Sequence, residues 1–263
     1  MKRWQLVNLV AFIVLVFATV SLVYVLGTMN YTTPLAKPWH LLPSIHEDSL
    51  STIYKKEYQI LGKTPLRVDL FDSSQANVFI LIDAWGVPLQ EHLLKDDLIV
   101  LDSLPHQFAL HRRLANYTRH AEHAEFRNDY ANSIFLFGGD SLQFHRQDYI
   151  PTLGFQNMLF CAKCSNETML KKIDSLLNRA LSKDSATNSI EQKDYQFIAW
   201  TATVSPNGDH NKIQHALQLI ADFARRHPKT RIIIQGTHRP VLCGPNTRNN
   251  YLSHWVPVVV LNP

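Results

Sequence analysis

Asp83, Thr118 and His238 are the residues whose types and placement could make a reactive centre. Asp83 closes the apolar run 78–82 in NVFILIDAWGVP, and His238 follows RIIIQ in the stretch Gly236-Thr237-His238-Arg239-Pro240. A carboxylate oxygen and an imidazole nitrogen are donors that Zn²⁺ or Mn²⁺ accepts. One such ion is therefore the expected cofactor, with no ion as the alternative. A hydroxyl beside the ion would have a lowered pKa, and the ion would neutralise a phosphate or sulfate oxygen. Thr118 supplies that hydroxyl if it starts a helix, because helix amino termini favour anions. The competing assignment for Asp83 is a cap on the helix that follows it.

Bringing these residues together requires strands that end side by side. The run 78–82 is apolar without polar alternation, which suits a strand buried on both faces. Asp83 then sits at its carboxyl end, where open α/β sheets place their ligands. Further strands are expected at 98–101, 133–138, 195–200, 231–235 and 256–261, with an edge strand at 68–71. Helical spacing marks 168–181 (Met169, Leu170, Ile173, Leu177) and 211–226 (Ile213, Leu217, Ile220, Phe223), the latter ended by Pro228. A short helix is expected at 90–95. The stretch 112–129, dense in His, Arg and Glu, suits a helix with a solvated face. Apolar strands alternating with helices predict an α/β fold, a mostly parallel sheet with helices on both faces. The polar residues that matter should follow its strands: Asp83, Asp140, the loop 201–210 and Thr237-His238.

The chain has 263 residues, 46% hydrophobic and 18% charged, enough for a sizeable core. Its formal charge of +4 is spread out, and Lys and Arg form no runs interleaved with aromatics, so no nucleic-acid partner is expected. Residues 6–27 are almost wholly apolar and follow Lys2 and Arg3. That pattern predicts a cytoplasmic tail (1–5) and a transmembrane signal anchor (6–27), with the bilayer as a partner and the rest outside the cytoplasm. A cleaved signal peptide is the competitor. A tether and lead-in segment (28–67), carrying Pro34, Pro38 and Pro43, precedes one domain (68–263). Cys161 and Cys164 form a CAKC unit; outside the cytoplasm a disulfide is expected, with Cys243 left over or competing as partner.

Four segments resemble a known superfamily in order and spacing. VFILIDAWG, FLFGGDSLQFHRQDYIPTLGF, ALQLIADFARRHPKTRIIIQGTHRP and SHWVPVVVLNP, spanning about 77–262, are similar to segments of the alkaline phosphatase and sulfatase superfamily. Within it the chain looks most like the membrane-anchored sulfatase-type enzymes of bacterial envelopes, such as lipoteichoic acid synthases and phosphoethanolamine transferases. The resemblance implies an alkaline-phosphatase-like fold, Asp83 and His238 as metal ligands, and Thr118 as nucleophile in Thr118-Arg119-His120-Ala121-Glu122. The repeated HAEHAEF allows a second alignment, with Ala121 at the nucleophile position. The resemblance also calls for a substrate-binding histidine early in the loop after YQFIAW. There the chain reads TATVSP, and His210 is the candidate.

The chain departs from the pattern at the last strand, where Thr237 stands in place of an Asp beside the histidine. Threonine is a far poorer ligand than a carboxylate and brings no charge to offset a dication. Two expectations follow. One is a sulfatase-like protein with a degenerate active site, serving as a binding or scaffold subunit in cell-envelope glycan or lipid assembly. The other is an active metal-dependent phosphoester or sulfoester hydrolase or transferase on such a glycan or lipid. Both place the domain in the periplasm or its equivalent, among envelope glycans, lipids and other envelope proteins.

Overall fold

The computed structural model describes residues 8, 12–21, 50–113, 117–127, 129, 132–139, 149–181, 195–204, 208–241, 243 and 245–263. The chain divides into two compact units, Met1–Glu47 and Asp48–Pro263. In the first, residues 8 and 12–21 are helical, and Phe12, Leu15, Phe17 and Val20 are exposed. Among the described residues no helix is long and apolar enough to cross a membrane. The rest of the expected anchor at 6–27 lies outside the described residues, as do residues 28–49 of the tether.

In chain order the second unit runs α1 (Thr52–Glu57), β1 (Gln59–Leu61), α2 (Leu66–Leu70), β2 (Asn77–Ile82) and α3 (Glu91–Leu98), which continues into a 3₁₀ turn at Ile99–Leu101. Then come β3 (His106–Arg112), α4 (Thr118–Phe126), β4 (Ser133–Gly139), a 3₁₀ turn at Ile150–Leu153, β5 (Asn157–Ala162) and α5 (Asn166–Leu181). The chain closes with β6 (Phe197–Ala202), α6 (His210–Arg226), β7 (Arg231–Gly236), α7 (Pro245–Arg248) and β8 (Trp255–Leu261). The eight strands form one sheet in the order β1-β3-β8-β7-β2-β6-β4-β5. Every neighbouring pair is parallel except the two that β8 makes with β3 and β7. The fold is thus α/β with a mostly parallel sheet.

Side chains alternate across a strand, so each strand feeds two cores. Val78, Ile80 and Ile82 of β2 join Leu94, Ile173, Leu217 and Ile220, from α3, α5 and α6, on one face. Phe79 and Leu81 join Leu66, Ala121 and Phe126, from α2 and α4, on the other. Both faces are therefore covered, which is why β2, β6 and β8 are buried at every position.

Three expected elements differ. Residues 98–101 form helical turns, because Leu98 and Leu101, three apart, are buried together while Ile99 stays exposed. The expected edge strand at 68–71 falls largely in α2, whose first residue, Leu66, is buried and donates its backbone N–H to Glu125 Oε2 at 2.8 Å. Residues 52–61, expected in the lead-in segment, form α1 and β1; β1 is an edge strand paired in parallel with Ala109–His111. Cys161 and Cys164 are disulfide-bonded at the end of β5, with Cα atoms 5.6 Å apart, and Cys243 is free.

Candidate active centre at the sheet edge

Asp83 and Thr237 extend the two neighbouring strands β2 and β7 by one residue each. Asp83 N–H donates to Ala202 O at 3.0 Å, and Thr237 N–H donates to Ile82 O at 3.0 Å. The chain must then leave the sheet in two directions through crowded loops, and glycine permits it. A Cβ at Gly236 would lie 1.8 Å from the Trp85 carbonyl oxygen, and one at Gly86 would lie 2.6 Å from Arg239 Cα. Any side chain there would push the two loops apart. Ala84 takes a left-handed conformation, with φ of 55°, which a residue bearing a Cβ seldom adopts. Its N–H donates to Thr237 Oγ1 at 3.0 Å, so Thr237 holds this turn in place.

Thr118 arrives from the opposite side as the first residue of α4, after Tyr117 in an extended conformation. Its hydroxyl donates to Asp83 Oδ1. The same hydroxyl oxygen lies 3.3 Å from His238 Nε2, and His238 Nε2 is 3.5 Å from Asp83 Oδ1. Thr237 Oγ1 donates to Asp83 Oδ1 as well, at 3.2 Å. Asp83, Thr118 and His238, three residues distant in sequence, thus meet at one point.

His238 Nδ1 lies 2.6 Å from Arg239 O, a carbonyl that can only accept. The proton therefore belongs on Nδ1, and in the neutral ring Nε2 turns a bare lone pair toward Thr118. Burial of this ring, 5% exposed, lowers its pKa; the nearby carboxylate of Asp83 opposes the shift and the charge of Arg113 adds to it. The centre is a hydroxyl flanked by a carboxylate and a neutral imidazole at a helix amino terminus. That arrangement can polarise Thr118 Oγ1 and hand its proton to either neighbour.

The donor set suits a resident dication poorly. Among the described residues it offers one carboxylate, one imidazole and two hydroxyls, and both hydroxyls point their protons at the carboxylate. Among the described residues no three His, Cys, Asp or Glu side chains are placed to hold a metal ion. Zinc centres take at least three nitrogen, sulfur or carboxylate ligands from the protein. Among the described residues Asp83 brings one carboxylate to this point, and a guanidinium acts on its histidine, a donor set with little negative charge to offset a divalent cation.

His210 is the first residue of α6 and is anchored by two hydrogen-bond partners. Its Nδ1 lies 2.8 Å from Asp97 Oδ1 and its Nε2 lies 3.2 Å from the Tyr251 hydroxyl. Asp97 also accepts from Trp85 Nε1 at 3.1 Å. Among the described residues no hydrogen bond links His210 to Asp83, Thr118 or His238. The bond to Asp97 raises the pKa of His210, with burial acting against it. Asp140 lies outside the described residues.

The charged stretch expected to be solvated is partly core. Glu122 and Glu125, on α4, are buried. Glu122 accepts from Thr201 Oγ1 at 2.6 Å and from the Tyr149 hydroxyl, which ties α4 to the end of β6. Arg113 is 4% exposed. None of these burials is visible in the residue types, although Arg112-Arg113 before a helix start is a signal that could have drawn notice.

No family model matches the chain, and no curated protein matches it. Several solved structures are similar in fold. The lipoteichoic acid synthase LtaP of Listeria monocytogenes aligns with a TM-score of 0.49 at 10% identity, over 72% of this chain and 65% of that one. The C-terminal periplasmic domain of EcEptC from Escherichia coli aligns with a TM-score of 0.48 at 9% identity, over 71% of this chain and 72% of that one. An alkaline phosphatase superfamily protein of Vibrio parahaemolyticus aligns with a TM-score of 0.46 at 12% identity, over 71% and 60%. The chain thus spans less than two thirds of the Listeria and Vibrio chains. The likeness is one of fold alone.

Proposed function

We propose that the chain is a membrane-anchored, extracytoplasmic sulfatase-like protein whose degenerate centre binds, without turning over, a phosphate- or sulfate-bearing envelope glycan or lipid. It would act there as a binding or scaffold subunit. The observation that carries this reading is Thr237. Its hydroxyl stands where the resemblance calls for a carboxylate, and it donates to Asp83 and holds the turn at Ala84. Asp83 is thereby satisfied by two hydroxyls, an arrangement stable without a cation. The anchor pattern at 6–27 supports the location outside the cytoplasm.

A second reading, hydrolysis or transfer of a phosphoester or sulfoester, is favoured by the placement of Thr118 between Asp83 and the bare nitrogen of His238. The two separate in an assay of the purified full chain with a generic phosphodiester and a generic sulfate ester. The binding reading expects no rate above that of Thr118→Val. Turnover that vanishes in Thr118→Val would replace it with the second.

A further inference from the structure

A pocket of about 290 Å³ opens beside α4, lined by Lys63, Arg112, Arg113, His120, Ala124 and Glu125, with Pro65 at its edge. Arg113 belongs to the interior: the residue is 4% exposed, and its backbone N–H donates to His254 O at 2.7 Å. Both terminal nitrogens of its guanidinium are buried and, among the described residues, have no hydrogen-bond partner. Glu125 does not satisfy them. Its Oε2 accepts from Leu66 N–H at 2.8 Å, and its Oε1 is 3.4 Å from Gln235 Nε2.

A buried polar group without a partner is costly, and a charged one more so. The pocket therefore holds donors with no internal acceptor. Arg112, exposed and lying over the Trp255 ring at 6.0 Å, and the exposed Lys63 add two further positive charges against one carboxylate. A planar guanidinium presents paired N–H groups that match the oxygens of phosphate or sulfate.

We propose that this pocket is a binding site for an oxyanion group of the phosphate or sulfate class, with Arg113 as its recognition residue. The site stands apart from the turnover question, since it needs neither a metal nor Asp83. Its ligand completes the bonding of Arg113, and the free protein carries that guanidinium at a cost in stability.

The test is thermal unfolding of the full chain in a phosphate-free detergent, titrated with inorganic phosphate or sulfate at constant ionic strength. Acetate serves as the carboxylate comparison, and dispersed phosphatidic acid replaces phosphate in a further arm. The proposal expects a saturable rise in melting temperature with phosphate or sulfate and none with acetate. A rise at lower concentration with phosphatidic acid assigns a lipid headgroup; a rise with the inorganic ions alone assigns the free anion, and both support the site. In a Thr118→Val, His238→Ala background, which removes the centre of the proposed function as a second phosphate site, Arg113→Met should abolish the rise. Should that variant fail to fold, Lys63→Ala with Arg112→Ala, both on the exposed rim, should move the phosphate midpoint about tenfold upward without lowering ligand-free stability. Asp83→Asn should bind phosphate as the wild type does. No saturable rise, a rise that survives Arg113→Met, a phosphate midpoint unmoved in the rim double variant, or a rise lost in Asp83→Asn would overturn the proposal.

Discussion

Replacing Thr237 by Asp restores the carboxylate that the resemblance calls for, and its cost can be worked out from the site. Thr237 is fully buried, and its hydroxyl oxygen is 3.2 Å from Asp83 Oδ1. A second carboxylate placed roughly 4 Å from the first repels it by about 4 kcal/mol at an effective dielectric constant of about 20. The pair relieves this by taking up a proton, which raises its shared pKa. For a domain of this size, a loss of about 4 kcal/mol lowers the melting temperature by roughly 8–16 °C. Zinc or manganese should reverse the loss, because the ion now meets two carboxylates, an imidazole and a hydroxyl. The assay is thermal unfolding of wild type and Thr237→Asp at pH 7, each with a chelator and each with added Zn²⁺ or Mn²⁺. The reasoning expects the variant to be less stable with chelator and stabilised by metal far more than the wild type. A variant as stable as the wild type in chelator, or equal metal stabilisation of both proteins, would refute it.

Other outcomes follow from single residues. His111 is buried, with Nε2 3.0 Å from Thr64 O and Nδ1 2.8 Å from Gln235 Nε2, and burial lowers its pKa to about 4. The unfolded chain binds this proton below about 6.5 and the folded chain only below about 4, so stability is present at neutral pH and lost on acidification through that window. Urea unfolding at pH 7 and pH 5 should differ by about 2 kcal/mol from this group, and His111→Gln should remove that share. Gly236→Ala drives a Cβ against the Trp85 carbonyl oxygen and should cost about 3 kcal/mol or more, read as a lowered melting temperature. The ring of His210 should titrate above the usual histidine range by NMR, and Asp97→Asn should bring it down by removing the partner that favours the charged form.

The sheet and the meeting of Asp83 with His238 were legible because central parallel strands are buried on both faces. Such strands read as unbroken apolar runs, and the residue after each run falls at the carboxyl edge. Thr118 was legible as a helix start. The strand β3 was not, since His106, Gln107 and His111 give it a mixed pattern near the sheet edge. The antiparallel course of β8 depends on how the chain returns after α7, which no local pattern in VPVVVL encodes. His210 was assigned by its place in a loop, whereas its bonds are set by Asp97, 113 residues away. The charged run around α4 could not be sorted by composition. Which of its charges are buried depends on Leu66, Tyr149, Thr201 and Gln235, none of them its sequence neighbours.

Whether one carboxylate and one imidazole suffice to keep a divalent cation is settled most directly by elemental analysis. Zinc and manganese would be counted per chain in the purified full-length protein after dialysis without chelator. The account predicts well under one equivalent, unchanged in Asp83→Ala and His238→Ala. One equivalent of either metal, lost in both variants, would contradict it.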